Sequence, residues 1–318
     1  MDTTIPASPE TRPRSIILDC DPGHDDALAM VLALARPELH LLGITTVAGN
    51  ATLENTTRNA LSVLTLLGRT DVPVAAGASA PLVRPLETAP HVHGSSGLEG
   101  ADLPAPQMTV VEVDAVEFMA RAVAESEEQV ILVPTGPLTN IALFRRRYPE
   151  LFARVDEIVL MGGSLGEGNI TPYAEFNIWV DPEAAAEVIA GGRPMTMMGL
   201  DVTHQALFSP ADTDMLEQLG TRTAVAFAGL MRFFAGFHRE KYGWAGAPIH
   251  DAVAVAHLLG DGLVTTQRHS IYVSTNDDTR GQTSGVRVDD VAGGVDVGMS
   301  IDRHRFVAMI IDAMALFR

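Results

Sequence analysis

The amino-acid sequence predicts an α/β fold: a single domain with a mainly parallel β-sheet, a Rossmann-like core and helices on both faces. Short apolar runs alternate with longer helical patterns, as in sheets whose parallel strands are joined by helical crossovers. The 318 residues are 47% hydrophobic and 19% charged, which is enough apolar material for a large core. No repeat, low-complexity tract or clear linker divides the chain. We therefore expect one domain over residues 15–318, behind a flexible N-terminal tail of residues 1–14.

Each predicted strand is a short run of apolar residues, and each predicted helix shows apolar residues at helical spacing. Pro37 stops the first helix, Gly68 ends the second and Asp181 opens the fifth. In chain order, the core is predicted from strand 15–18, helix 27–34, strand 41–46, helix 53–67, strand 72–74, helix 113–124, strand 130–133, helix 138–147, strand 158–160, helix 182–189 and strand 195–198. The loop 80–107 is long for a plain connection, and such loops often carry function.

The C-terminal part of the chain is predicted to add helices to this core. Helical patterns cover residues 212–237 and 251–259, a hairpin is predicted over 270–288, and a last helix over 305–316. In parallel sheets of this kind, ligands bind beyond the carboxyl ends of the strands. Residues that directly follow a predicted strand are therefore the first candidates for a functional site.

Composition excludes several classes of partner. Lys plus Arg is 22 and Asp plus Glu is 40, so the formal net charge is −18. A surface that binds nucleic acid or an anionic membrane needs a basic face, so neither partner is expected. A single cysteine, Cys20, excludes an internal disulfide and a cysteine-based zinc site, and it fits the reducing cytoplasm. The polar start of the chain and the lack of a long apolar run predict a soluble, unexported protein.

Four aspartates follow the first predicted strand within eight residues. The segment reads Asp19-Cys20-Asp21-Pro22-Gly23-His24-Asp25-Asp26. Carboxylates placed together raise one another's pKa unless a cation compensates, and oxygen-only ligands favour Ca²⁺ or Mg²⁺ over Zn²⁺. A turn at Pro22 and Gly23 can fold Asp25 and Asp26 back toward Asp21. The cluster therefore predicts a site for a hard divalent cation.

Six segments, in order, resemble the nucleoside hydrolases of the inosine-uridine type, which include the pyrimidine-specific ribonucleoside hydrolases. They are LDCDPGHDDA at 18–27, GITTVAGN at 43–50, HVHGSSG at 91–97, VPTGPLTN at 133–140, MGG at 161–163 with GN at 168–169 and AEFN at 174–177, and IHDA at 249–252. The resemblance implies hydrolysis of the N-glycosidic bond of a small-molecule ribonucleoside to ribose and free base. It also implies a homo-oligomer, a dimer or a tetramer, and leaves purine or pyrimidine preference open.

The resemblance implies a Ca²⁺ site and two catalytic residues. Its metal ligands would be Asp21, Asp26, Asp251 and the backbone carbonyl of Thr135. A Ca²⁺-bound water would lose its proton to Asp21, and His250 would protonate or hydrogen-bond the departing base. For Asp251 the alternative is an ordinary acid that opens a helix.

The remaining matches imply a substrate site. Carboxylates and amides suit ribose hydroxyls, which both donate and accept hydrogen bonds. The implied ribose contacts are Asp25, Asn50, Asn169, Glu175 and Asn177, and the implied neighbours of the base are His93 and Tyr242. A loop Asn or Asp can instead satisfy its own backbone, and Trp244 could stack on a base or pack in the core.

Two alternatives are weighed against this interpretation. An Asp-x-Asp pair after the first strand also resembles the Mg²⁺-dependent phosphatases of the haloacid dehalogenase type. Their chemistry needs a lysine to balance the phosphoryl charge, and the chain has one lysine, Lys241, and no Thr-rich phosphate loop in the usual place. The second alternative is a nucleoside- or ribose-binding module without turnover, which nothing in the sequence favours.

Overall fold

The computed structural model describes residues 12–260, 262–289 and 293–318. Most of the predicted tail, residues 1–11, lies outside the described residues. Eleven strands are formed in the described ranges: β1 (Arg14–Cys20), β2 (Leu39–Thr46), β3 (Val74–Ala76), β4 (Val130–Pro134), β5 (Ile158–Met161), β6 (Met195–Met198), β7 (Leu207–Phe208), β8 (Ala247–Pro248), β9 (Val264–Val273), β10 (Thr283–Arg287) and β11 (Val295–Ile301).

Thirteen α-helices connect or cover these strands within the same ranges. They are α1 (His24–Ala35), α2 (Leu53–Leu66), α3 (Pro90–His93), α4 (Ala115–Glu125), α5 (Thr139–Arg147), α6 (Pro149–Phe152), α7 (Phe176–Val180), α8 (Pro182–Ile189), α9 (Leu200–Thr203), α10 (Pro210–Gln218), α11 (Arg222–Tyr242), α12 (His250–His257) and α13 (Arg303–Met314).

Nine strands form one sheet in the order β10-β9-β11-β6-β5-β4-β1-β2-β3. Neighbours from β3 to β11 are parallel, and β9 is antiparallel to both β10 and β11. From β1 the chain proceeds to β2 and β3 on one side, and then returns to β4 on the other side. This reversal beside β1 is a topological switch point, where the carboxyl ends of strands leave a crevice for a ligand.

Helices cover both faces of the sheet, as predicted. On one face, α1 packs against α12 and α13, with Leu28, Val253 and Phe306 fully buried. On the other face α5 packs against α4 and α8, and Phe144 is fully buried there. Burial of each large apolar side chain in these two layers stabilises the fold by about 1.5–3 kcal/mol. The layers therefore hold the strand ends in fixed positions. Among the described residues, no helix combines the length and apolar character required to cross a bilayer.

Several predicted bounds are wrong, for local reasons. Arg14, assigned to the tail, is the first residue of β1, where it pairs with Leu39. The first helix begins at His24 rather than residue 27, because the Asp26 carboxylate accepts a hydrogen bond from Gly23 N and caps it.

Three further differences concern the third strand and the C-terminal region. The strand predicted at 72–74 is β3, which begins at Val74, where it pairs with Ile44. The helical stretch predicted over 212–237 is two helices, α10 and α11, separated at Gly220, which has φ +70°. Strand β11 was not predicted. The hairpin predicted over 270–288 is confirmed as the antiparallel pair of β9 and β10.

Candidate active site

The aspartate motif lies at the switch point of the sheet. Asp21 directly follows β1, and Thr135 directly follows the neighbouring strand β4. Asp25 and Asp26 occupy the first turn of α1, while Asp251 occupies the first turn of α12. Because α1 and α12 pack against each other, carboxylates from the two ends of the chain meet at one place.

Three of these carboxylates form a close group. Asp25, Asp26 and Asp251 each have an oxygen within 4.8 Å of the others, and all three are buried. Asp21, a predicted ligand, is not part of this group of three, although it lies near Asp26 and Asp25. Asp25, which was predicted to contact ribose, is instead the third member of this group. The Thr135 hydroxyl donates to Asp26 Oδ1 over 2.9 Å, which brings its residue to the cluster.

The side chain of Asp21 is held by the backbone of two neighbouring loops. Its Oδ2 accepts a hydrogen bond of 2.6 Å from Asn50 N, and its Oδ1 is buried without a hydrogen-bond partner in the described chain. A Cβ atom at Gly49 would lie 2.2 Å from Oδ2, and one at Gly136 would lie 2.6 Å from Oδ1. Glycine at both positions therefore lets two loops close around this carboxylate.

The electrostatics of the cluster disfavour several uncompensated negative charges. Burial, and then the neighbouring carboxylates, raise the pKa of Asp21 and of Asp251, and they raise the pKa of Asp25 to about 7. None of the ion pairs found in the described ranges involves these aspartates. An all-oxygen donor set with an unpaired, buried Oδ1 on Asp21 fits a hard divalent cation.

The cluster opens into one cavity that collects the predicted substrate residues. Asp21 and Asp26 are fully buried and are not among the residues that line it. The predicted residues that line it are Asp25, Asn50, His93, Thr135, Asn169, Glu175, Asn177, Tyr242, His250 and Asp251. Trp244 lines the same cavity, as do Met161 and Phe176.

Hydrogen bonds to the backbone hold the polar side chains of residues 169–177 that line the cavity. The Glu175 carboxylate caps α7 by accepting hydrogen bonds from the backbone N–H groups of Asn177 and Ile178. Asn177 Nδ2 donates to the Thr135 carbonyl over 2.8 Å, and Asn169 Oδ1 accepts from Phe176 N. Glu175 and Asn169 thus bond to the backbone of their own segment, whereas Asn177 bonds to the backbone that follows β4. Asn177 Oδ1 makes no hydrogen bond in the described chain and is free to bind a ligand.

Aromatic side chains also line the cavity. Tyr242 and Trp244 stack with ring centroids 4.7 Å apart, and His238 stacks on Tyr242 at 6.0 Å. Sequence reasoning named Tyr242 but missed the residues around it that also line the cavity: His204, Phe234, Phe237, His238 and Lys241. The spacing of Phe234, His238 and Tyr242 places them on one face of α11, and this spacing was the available signal.

His250 also lines the cavity. Its Nδ1 is 2.7 Å from Thr203 Oγ1, and its ring meets that of His204 edge to face. Burial, and then the neighbouring histidines, hold its pKa well below the ordinary value. In its neutral form the ring offers a hydrogen bond rather than a positive charge to the cavity.

Comparisons with known proteins agree with this geometry. Residues 16–308 match the family model described as inosine-uridine preferring nucleoside hydrolase. A pyrimidine-specific ribonucleoside hydrolase RihA from Shewanella sp. (strain ANA-3) is 48% identical over 308 residues, 96% of this chain and 97% of the relative. The Escherichia coli (strain SMS-3-5 / SECEC) protein of the same name is 47% identical over 310 residues, 95% of this chain and 98% of the relative.

A solved structure supports the fold at lower identity. The purine-preferring ribonucleoside hydrolase from Gardnerella vaginalis superposes with a TM-score of 0.90 at 34% identity, over 95% of this chain and 98% of that one. The resemblance to the inosine-uridine type is therefore confirmed, and the phosphatase alternative is wrong. From residue 16 to residue 308, this chain belongs to the inosine-uridine preferring nucleoside hydrolase family.

Proposed function

We propose that this protein hydrolyses the N-glycosidic bond of ribonucleosides, releasing ribose and a free base, with the help of Ca²⁺. One observation carries the proposal: Asp25 and Asp251, two members of the buried group of three aspartates, line a cavity that is also lined by polar side chains and by aromatic rings. The polar side chains suit the hydroxyls of a sugar, and the aromatic rings suit a planar base. Family membership supports the reaction class.

Asp21, Asp26, Asp251 and the Thr135 carbonyl are the proposed ligands of the ion, and Asp25 is close enough to share it. When bound, a divalent cation supplies a Lewis acid that makes a nearby water molecule more acidic. Asp21 is the proposed base, because its Oδ1 is buried beside the cluster and no hydrogen bond of the described chain occupies it. Asn50 N donates to Oδ2 of Asp21, which leaves Oδ1 as the oxygen without a hydrogen bond from the described chain.

Ribose is proposed to bind through the polar residues that line the cavity. Asp25 and Glu175 offer carboxylate acceptors, and Asn177 offers its free Oδ1. Asn50 and Asn169 would add amide contacts from the opposite loops. Because the loop hydrogen bonds of Glu175 and Asn169 already fix their orientation, a sugar meets donors and acceptors that need little rearrangement.

His250 is proposed to help the base leave, as a hydrogen-bond donor at its departing edge. Tyr242 and Trp244 would stack on or beside the base, and His93 would contact it from the last residue of α3. We propose pyrimidine ribonucleosides as the better substrates, since the relatives at 47–48% identity carry that specificity in their names. A cytoplasmic homo-oligomer, a dimer or a tetramer, completes the proposal by resemblance to the family.

The test is a panel of uridine, cytidine, inosine, adenosine and 2′-deoxyuridine, with chromatographic detection of free base and a reducing-sugar assay for ribose. We expect equal amounts of base and ribose, faster release from uridine and cytidine, and a large loss on 2′-deoxyuridine because a polar contact to ribose is missing. Tight binding of uridine without release of base, even in a single turnover, would instead indicate a binding module. Faster release from inosine would overturn the base preference alone.

A further inference from the structure

The hydroxyl of Thr203 contacts His250, which lines the cavity. Thr203 is the last residue of α9, is fully buried, and places its Oγ1 2.7 Å from His250 Nδ1. Thr203 does not line the cavity, whereas His250 does. Any effect of Thr203 on a bound molecule therefore passes through the imidazole ring.

The direction of this hydrogen bond follows from the requirement that a buried hydroxyl proton has an acceptor. In the described part of the chain, the contact with His250 is the one hydrogen bond that Thr203 Oγ1 makes. If Nδ1–H donated to Oγ1, the hydroxyl proton would be buried without an acceptor, at a cost of about 1–3 kcal/mol. If the hydroxyl donates, both groups are satisfied. Nδ1 of His250 then carries the lone pair, and Nε2 carries the proton.

Nε2 is the nitrogen that remains for the cavity, because Nδ1 is occupied by Thr203. We propose that Thr203 is a positioning residue that fixes both the tautomer and the ring orientation of His250, so that Nε2–H points a hydrogen bond at the leaving base. This inference rests on the proposed function. Without the hydroxyl, a neutral His250 is free to move its proton to Nδ1 and to present a lone pair to the base.

The kinetic test compares Thr203→Val, which keeps the side-chain shape, with Thr203→Ser, which keeps the hydroxyl. On uridine, Thr203→Val should lower kcat by about 10- to 100-fold, which is a smaller effect than removal of the His250 donor itself would have. The kcat of Thr203→Ser should stay near that of wild type. On 4-nitrophenyl riboside, whose leaving group departs without a donated hydrogen bond, both variants should match wild type. Equal losses of the valine variant on both substrates, or no loss on either, would overturn the proposal.

A second measurement requires neither a folded variant of Thr203 nor turnover of a substrate. Imidazole ¹⁵N NMR of the wild-type protein, with His250 assigned by the missing signal in His250→Gln, should show a protonated Nε2 and an unprotonated Nδ1. A proton on Nδ1 with a bare Nε2 would overturn the proposal whatever the kinetics show. Failure of wild type to release base from any nucleoside would instead overturn the proposed function, while the tautomer result still stands or falls by itself.

Discussion

The Nδ1 atoms of His24 and His93 lie 3.0 Å apart and close a ring of three hydrogen bonds. His24 Nε2 is 2.7 Å from the Glu99 carbonyl, and Glu99 N donates back to the His93 carbonyl. Since a carbonyl only accepts, the His24 proton is on Nε2. Burial lowers the pKa of His24 to about 4, so its neutral Nδ1 accepts from His93 and leaves the His93 Nε2 lone pair for the cavity.

Replacement of His24 by Leu should open this ring. The His93 Nδ1–H and the Glu99 carbonyl would each lose a buried partner, at about 1–3 kcal/mol apiece. We expect the free energy of unfolding in urea to fall by at least about 2 kcal/mol, and kcat/KM on uridine to fall with it. His24→Asn is the matched control, because its side-chain oxygen can replace the Nδ1 acceptor, so it should lose less. Equal stability of His24→Leu and wild type would contradict this account.

His238 should make the fold sensitive to acid. Burial lowers its pKa to about 4 in the folded chain, against about 6.5 when unfolded. Between these values the unfolded chain binds more protons, so stability is lost as the pH falls through that window. When the pH is lowered from 7 to 5, the free energy of unfolding measured in urea should fall by about 2 kcal/mol more for wild type than for His238→Gln.

The comparison with His238→Gln isolates this single group. Asp19 and Asp25, whose pKa values burial raises to about 7, titrate in the opposite direction in both proteins and cancel in the difference. Parallel pH profiles of the two proteins would show that His238 does not titrate differently in the folded and unfolded chains.

Asp21→Asn should separate catalysis from stability. Loss of the proposed base should reduce turnover of uridine by about 10²- to 10⁴-fold. With the ion chelated, the same change removes one negative charge from a buried cluster that disfavours it, so the midpoint of urea unfolding should rise. Asp71→Asn, on an exposed carboxylate paired with Arg69, is the control and should leave turnover unchanged. Near-normal turnover of Asp21→Asn would remove Asp21 from the mechanism.

Removal of the divalent cation should affect both activity and stability. In EGTA, the buried carboxylates repel one another without compensation, so we expect turnover to stop and the thermal midpoint to fall. Ca²⁺ at one hundred times its Kd should restore about 2.7 kcal/mol of stability together with activity. Restoration by Mg²⁺ but not Ca²⁺ would change the proposed ion. Full activity of the chelated protein would contradict the metal site itself.

The parallel core could be predicted because its signals are local. The bounds of α8 and β6 agree with the prediction, since Asp181 caps α8 by accepting from Ala184 N and β6 is a short run of three methionines and one β-branched threonine. Strand β11 carries a different local signal, which the prediction missed: its sequence VDVGMSI alternates apolar residues with polar residues or glycine, as in a half-buried strand. Its pairing with β6 and β9 places it inside the sheet.

By itself, the sequence determined the kind of chemistry: four carboxylates after a buried strand, the family motifs, and the amide and histidine residues beside them. Only the tertiary structure decided that Asp25 joins Asp26 and Asp251 in the closest group, and that Phe234 and His238 face the same cavity. It also decided that Thr203 holds His250. The physical reason is that residue types and local spacing are written along the chain, whereas contacts between distant helices depend on which buried faces pack together.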